Sequence, residues 1–176
     1  MNNGTITVEQ LKRNLERPFA PSQISWRVGS TTADKSRGMA LAFIDARDVM
    51  LRLDQCVGFA WQNRYTLSEG GVLICEIGIQ INGEWIWRAN GAGASDIEGE
   101  KGKASDAFKR AAVLWGIGRY LYSLPSPWVA LKEQGRTHVI VEPPQLPAWA
   151  TPEGYDEIMR KRDETLRTQQ AAATAE

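Results

Sequence analysis

Apolar residues recur at helical spacing near the start of the chain. Val8, Leu11 and Leu15 share one side, while Lys12, Arg13 and Arg17 take the others. Thr7-Val8-Glu9-Gln10 forms a capping-box pattern ahead of them, and Pro18 ends the helix. Pro21 to Val28 reads as turn and extended chain. Gly29 to Gly38 is polar and predicts an exposed loop. The short apolar run Met39 to Ile44 predicts a strand. A second helix then starts at an Asp45 N-cap, with Asp48 in its first turn. Val49, Leu53 and Cys56 or Val57 form its apolar stripe, and Gly58 closes it.

The middle of the chain predicts a three-stranded meander. Trp61 to Leu67 and Val72 to Ile81 flank the Gly70-Gly71 turn. Asn82-Gly83 is a strong hairpin signal, because a type I′ turn needs positive φ at both positions. Glu84 to Ala89 returns. A two-residue turn puts Ile77, Ile79, Ile81 and Ile86 on one face and Gly78, Gln80, Trp85 and Trp87 on the other, with Gly78 opposite Trp87. With both faces partly apolar, the sheet is expected to be covered on both sides.

The longest helical pattern runs from Glu98 to Tyr122. Ala104, Ala107, Phe108, Ala111, Trp115 and Gly118 share one face, and Lys103, Asp106, Lys109 and Arg110 the opposite one. Gly116 and Gly118 leave its last turns open. Pro125 and Pro127 close this part of the chain. A short strand at Thr137 to Val141, a proline-rich link (Pro143, Pro144, Pro147) and a charged segment from Pro152 to Arg167 follow. Thr168 to Glu176 has a disordered composition. The expected fold is α+β: a three-stranded antiparallel meander plus a short extra strand, packed on a long α-helix, with an N-terminal helix. The expected division is a core over residues 1–125, a proline-rich extension over 126–150 and a charged, flexible tail over 151–176.

Charge qualifies this picture. The 21 basic and 21 acidic residues cancel, which is unlike most nucleic-acid binders. Their distribution is uneven: residues 1–64 hold nine basic and six acidic side chains, and residues 150–176 hold four and six. No apolar run is long enough to span a membrane, and the polar start Met1 to Gln10 lacks a secretory h-region, so an intracellular location is expected. Cys56 and Cys75 lie in apolar runs without a CxxC neighbour and read as reduced core residues. A lone histidine, His138, argues against histidine-based catalysis and most zinc sites.

Enzyme chemistry finds little support. Gly102-Lys103 resembles the end of a phosphate loop, but Ala104 follows and Ile97 stands where the first glycine belongs. Gly91-Ala92-Gly93 opens a dinucleotide fingerprint without completing it. Asp96, Glu98, Glu100 and Asp106 could form a magnesium site of a nuclease. The plainer reading is acidic residues complementing a helix dipole, with Lys101 and Lys103 as charge partners. Trp61, Tyr65, Trp85 and Trp87 cluster on the meander. Their rings could stack bases, although core or subunit packing is the commoner use of such residues.

Two blocks carry a resemblance. Ala42-Phe43-Ile44-Asp45-Ala46-Arg47-Asp48-Val49 and the long run from Glu100 through Lys109-Arg110 to Leu121 are similar to blocks of the Rad52-type single-strand annealing family, which includes phage Sak-type recombinases and DdrA-like proteins. The opening helix and the turn Gln23-Ile24-Ser25-Trp26-Arg27-Val28 also resemble that family, so the likeness covers about residues 8–125.

The resemblance implies a non-enzymatic protein that needs no cofactor or ATP. Such a protein forms ring or arc homo-oligomers and anneals single-stranded DNA during recombination and double-strand break repair. The strand would lie in a positive groove, its backbone held by Arg47 and the Lys109-Arg110 pair, with Lys101, Lys103 and Arg119 as supplements. Val113 stands where eukaryotic members carry a further basic residue. Arg47 has a plain alternative as partner of Asp48 or Asp54. A strand-protecting module without annealing activity is the alternative function, and a metal-dependent nuclease a remoter one. The resemblance also implies the cytoplasm of a bacterium or phage-infected cell, and a tail able to contact a host single-strand-binding protein.

Overall fold

The computed structural model describes residues 6–92 and 100–174, the side chains of Glu100 and Lys101 excepted. Among these residues the fold is α+β, with four helices and two antiparallel sheets. The chain divides into two compact units, each made of two stretches: Met1–Glu16 with Ile44–Tyr122, and Arg17–Phe43 with Ser123–Glu176.

The first unit begins with α1 (Val8–Glu16). The capping box forms as its sequence predicts. The Gln10 amide donates to Thr7 Oγ1 at 3.1 Å and the Thr7 amide to Gln10 Oε1 at 2.9 Å. Helix α2 (Ala46–Val57) is capped by Asp45, with Asp48 completing a second box, and ends at Gly58. Val49 and Leu53 are fully buried in it. Arg52 is buried as well, and its guanidinium donates to the carbonyls of Asn14 (3.0 Å) and Leu15 (3.4 Å), satisfying the last turn of α1.

Strands β3 (Trp61–Leu67), β4 (Leu73–Ile81) and β5 (Glu84–Ala92) form the meander. Asn82 (φ 52°) and Gly83 (φ 87°) make its two-residue turn. The register follows: Ile79 faces Ile86, and Gly78 faces Trp87. Cys75, Ile77 and Ile79 are fully buried on the side of α3 (Glu100–Leu114). The helix presents Ala107, Phe108 and Ala111, all buried, with Phe108 against the Trp61 ring. Trp115 seals the contact by donating its indole N–H to the Ile77 carbonyl at 3.1 Å. The cover expected on the second face of this sheet is not supplied by α3; Gln62, Arg64, Gln80 and Trp85 there are exposed.

The long helix stops earlier than its spacing predicts, at Leu114 rather than Tyr122. Gly116 (φ 94°) and Gly118 (φ 68°) take left-handed backbone that ends an α-helix, and Arg119–Ser123 continue as a 3-10 turn. The predicted start at Glu98 lies outside the described residues.

The second unit holds a four-stranded sheet, of which the sequence pattern shows only fragments. β1 (Ser25–Thr31) and β2 (Arg37–Phe43) pair as a hairpin, so the loop expected over Gly29 to Gly38 shrinks to residues 32–36. The register shifts between Val28 and Thr31, an irregularity around Gly29 that gives a strand the composition of a loop. In the tight turn, Asp34 accepts from the Thr32 and Ser36 hydroxyls, which hold its carboxyl down at about 2. β6 (Trp128–Gln134) follows Pro127 directly and pairs with β2, and β7 (Thr137–Ile140) completes the sheet. Proline at a strand start leaves the ladder intact, and the Pro127 carbonyl accepts from the Ala40 amide at 2.9 Å.

Residues Pro152–Thr174 form one helix, α4, where charge and a Gln/Ala/Thr composition predict a flexible tail. Thr151 Oγ1 accepts from the Gly154 amide as an N-cap, and Pro152 sits at the first helical position. Glu157–Lys161 and Arg160–Glu164 pair one turn apart. Alanine and glutamine, which read as disordered by composition, are good helix formers once a capped helix reaches them. Arg17 clamps the start of α4 through a bidentate pair with Asp156, at 2.6 and 2.8 Å.

Two stability predictions follow. Phe108→Ala removes a ring that is 1% exposed and should cost about 3–5 kcal/mol in chemical unfolding, whereas Phe59→Ala, at a fully exposed ring, should stay within about 0.5 kcal/mol. The Arg17 pair holds the Asp156 carboxyl below its usual range, so its contribution is present at neutral pH and lost as pH falls through that lowered value. Both partners are largely solvated, so the effect is below about 1 kcal/mol. The unfolding midpoint of Asp156→Asn should lie below that of the parent at pH 7 and converge with it as pH falls through the lowered Asp156 value.

Candidate nucleic-acid interface

An α-helix packed on a sheet has one free arc, and on α3 that arc carries the cations. Consecutive positions lie 100° apart, so Lys109 and Arg110 project in different directions. Lys103 and Arg110, two turns apart, share a stripe with Asp106 between them. Arg110 is exposed and pairs with Asp106 at 2.8 Å, and its own carbonyl accepts from Asn90 on β5 at 3.4 Å. Lys103 and Lys109 are half-buried. Lys101 lies on the first turn of the same helix, with its side chain outside the described residues.

Arg47 projects from the first turn of α2, its side chain 91% exposed. It meets neither of the carboxylates expected for it. Its nearest acidic neighbour is Asp45 at 3.9 Å, and Asp54 instead accepts from the Trp61 indole at 2.8 Å. Helix α2 packs against α3 within this unit.

Arg119 is engaged differently. Its guanidinium donates to the carbonyls of Val113 (2.9 Å) and Leu114 (2.8 Å), the last two residues of α3. Arg88 on β5 also donates to the Leu114 carbonyl and lies over the Trp115 ring at 4.6 Å. Both arginines therefore complete the helix end that the two glycines open. Arg88 carries no sequence signal for this, because its role depends on strand register.

The aromatic cluster splits between the sheet faces. Trp61 and Tyr65 lie on the α3 side, where the Tyr65 hydroxyl donates to the Ala104 carbonyl at 3.3 Å. Trp85 and Trp87 lie on the opposite side, with ring centroids 6.1 Å apart. Arg64 on β3 pairs with Glu76 and stacks over Trp87 at 4.2 Å.

The titratable groups near these cations are held away from acid–base chemistry. Burial pushes the Tyr65 hydroxyl up to about 12 and the Cys75 thiol up to about 11, so neither is a nucleophile near neutral pH. Cys56 is raised by burial too, and both thiols are free. Among the described residues no three carboxylate, histidine or cysteine side chains are arranged to hold a metal ion. Of the four acidic residues considered for magnesium, Asp96 and Glu98 lie outside the described residues, as does the side chain of Glu100. Asp106 is paired with Arg110. No described helix is long and apolar enough to cross a membrane.

Comparison with known proteins agrees with the blocks seen in the sequence. The chain is 37% identical over 156 residues to the single-stranded DNA-binding protein DdrA of Deinococcus deserti, covering 84% of this chain and 73% of that protein. It is 32% identical over 151 residues to the protein of the same name from Deinococcus radiodurans, covering 84% and 71%. No solved structure matches it. Residues 7–139 match the profile of the Rad52/22 family of double-strand break repair proteins, and the chain belongs to that family.

Proposed function

We propose that this protein binds single-stranded DNA through its phosphates and anneals complementary strands without ATP, as a non-enzymatic component of double-strand break repair. The observation that carries this reading is the cationic arc of α3, held outward by the packing of the opposite helix face, in a member of this repair family. The two DdrA relatives, named for single-stranded DNA binding, support the choice of ligand.

Lys109, Arg110, Lys103 and Arg47 supply the phosphate contacts, with Lys101 at the start of the same helix. Guanidinium groups take a phosphate as a planar fork and ammonium groups as a point charge. Arg110 exchanges its exposed pairing with Asp106 for phosphate at small cost. Arg119 reaches phosphate only by releasing the α3 carbonyls, so its first role is to close that helix. Contacts to phosphate carry no sequence information, so binding is sequence-tolerant. Neutralising the backbone lowers repulsion between two strands, and base pairing drives the reaction. Ring or arc oligomers of the chain would hold many nucleotides in register, in the cytoplasm of a bacterium or infected host. α4 is the element available to a host single-strand-binding protein.

The relatives' names specify binding rather than annealing, which favours a second reading as a strand protector. Mixing complementary labelled strands without ATP separates the two: an annealer speeds pairing and a protector slows it. The double variant Lys109→Ala, Arg110→Ala should bind single strands more weakly. Its slope of log K against log salt should be shallower by about 1.4 if both contacts are to phosphate. Unchanged affinity and slope would remove the site. Arg119→Ala should instead lower unfolding stability by about 1 kcal/mol, with a smaller effect on the salt slope than the double variant.

A further inference from the structure

The face of the meander that α3 leaves open is a built surface. Gly78 lies opposite Trp87, and a Cβ there would fall 2.9 Å from the indole, so the absence of a side chain lets Trp87 lie flat on the sheet. Arg64 covers the Trp87 ring at 4.2 Å and is itself held by Glu76. Beyond Trp87 on the same strand stands Trp85, 40% exposed and inclined to it by 32°. Gln62, exposed and in the same row as Gly78 and Trp87, adds an amide that can donate and accept. The order across the face is therefore an ion pair, a clamped indole and an outer indole.

We infer that this face is a base-stacking platform for single-stranded nucleic acid, with Trp85 as the ring on which an unpaired nucleobase stacks. The inference rests on the single-strand-binding reading above and names a second, chemically different contact for the same ligand. Charge on the face favours a base over a phosphate: among the described residues of the cluster the one cation, Arg64, is paired with Glu76, whereas α3 carries Lys103, Lys109 and Arg110. Stacking also suits annealing, because it occupies the face of a base and leaves its pairing edge open.

Binding to a thymidine oligonucleotide and to an abasic strand of equal length tests the platform. The parent protein should bind the base-bearing strand about tenfold more tightly. Trp85→Ala should erase that preference while leaving abasic binding unchanged, and Trp85→Phe should keep most of it. The Lys109→Ala, Arg110→Ala variant should weaken both strands alike. A preference that survives in Trp85→Ala, equal weakening of both strands by that variant, or a change of its assembly state on a sizing column overturns the platform. A parent protein that binds neither strand overturns the functional reading and the platform with it. A parent that binds both strands with a preference independent of Trp85 overturns the platform alone. Should Trp85→Ala fail to fold, photocrosslinking of the parent with a bromodeoxyuridine strand decides: a crosslink to Trp85 is expected, and crosslinks confined to other residues overturn the proposal.

Discussion

The close seat of α3 on the β3–β4–β5 sheet is the contact on which the first unit depends. Ala107 and Ala111 bring the helix near the strands, Phe108 fills the space beside Trp61, and Trp115 bonds the backbone of Ile77. Dense packing of this kind fixes the rotation of the helix about its axis. That rotation decides which side chains turn away from the sheet: Arg110 is exposed, and Lys103, Asp106 and Lys109 are half-buried. The same contact uses one face of the sheet and leaves the Trp85–Trp87 face open. The arc proposed for phosphate and the surface proposed for bases are thus two consequences of one packing choice.

Arginine serves several purposes here, so a count of charges along the chain does not say which cations face solvent. Arg52, Arg88 and Arg119 donate to carbonyls at helix ends. Arg17 and Arg64 are clamped by single carboxylates. Arg47 projects into solvent with only a distant carboxylate. Counting charges along the chain treats these side chains as equal, although their hydrogen bonds make them different.

Much of the first unit was legible from spacing. The capping residues Thr7 and Asp45, the Asn82-Gly83 turn and the pairing of Gly78 with Trp87 are local rules, settled by residues within a few positions of one another. The second unit was less legible because its sheet joins distant stretches. β6 has meaning only beside β2, and its proline-flanked, half-polar sequence gives little periodicity of its own. Gly29 marked a loop by composition, yet it marks an irregular strand. In the candidate site, residue type and helix were readable for Lys109 and Arg110, but the different directions of their side chains and the ties of Arg110 to Asp106 and β5 were not.

The sequence by itself determined the capped starts of α1 and α2, the register of the Asn82-Gly83 hairpin and the family, because caps, turn residues and contiguous blocks act over short range. Only the tertiary structure decided where α3 ends, which arginines close helix ends and which indoles face away from the core. Those outcomes depend on carbonyls, rings and strands brought together from remote parts of the chain, and no local pattern encodes their meeting.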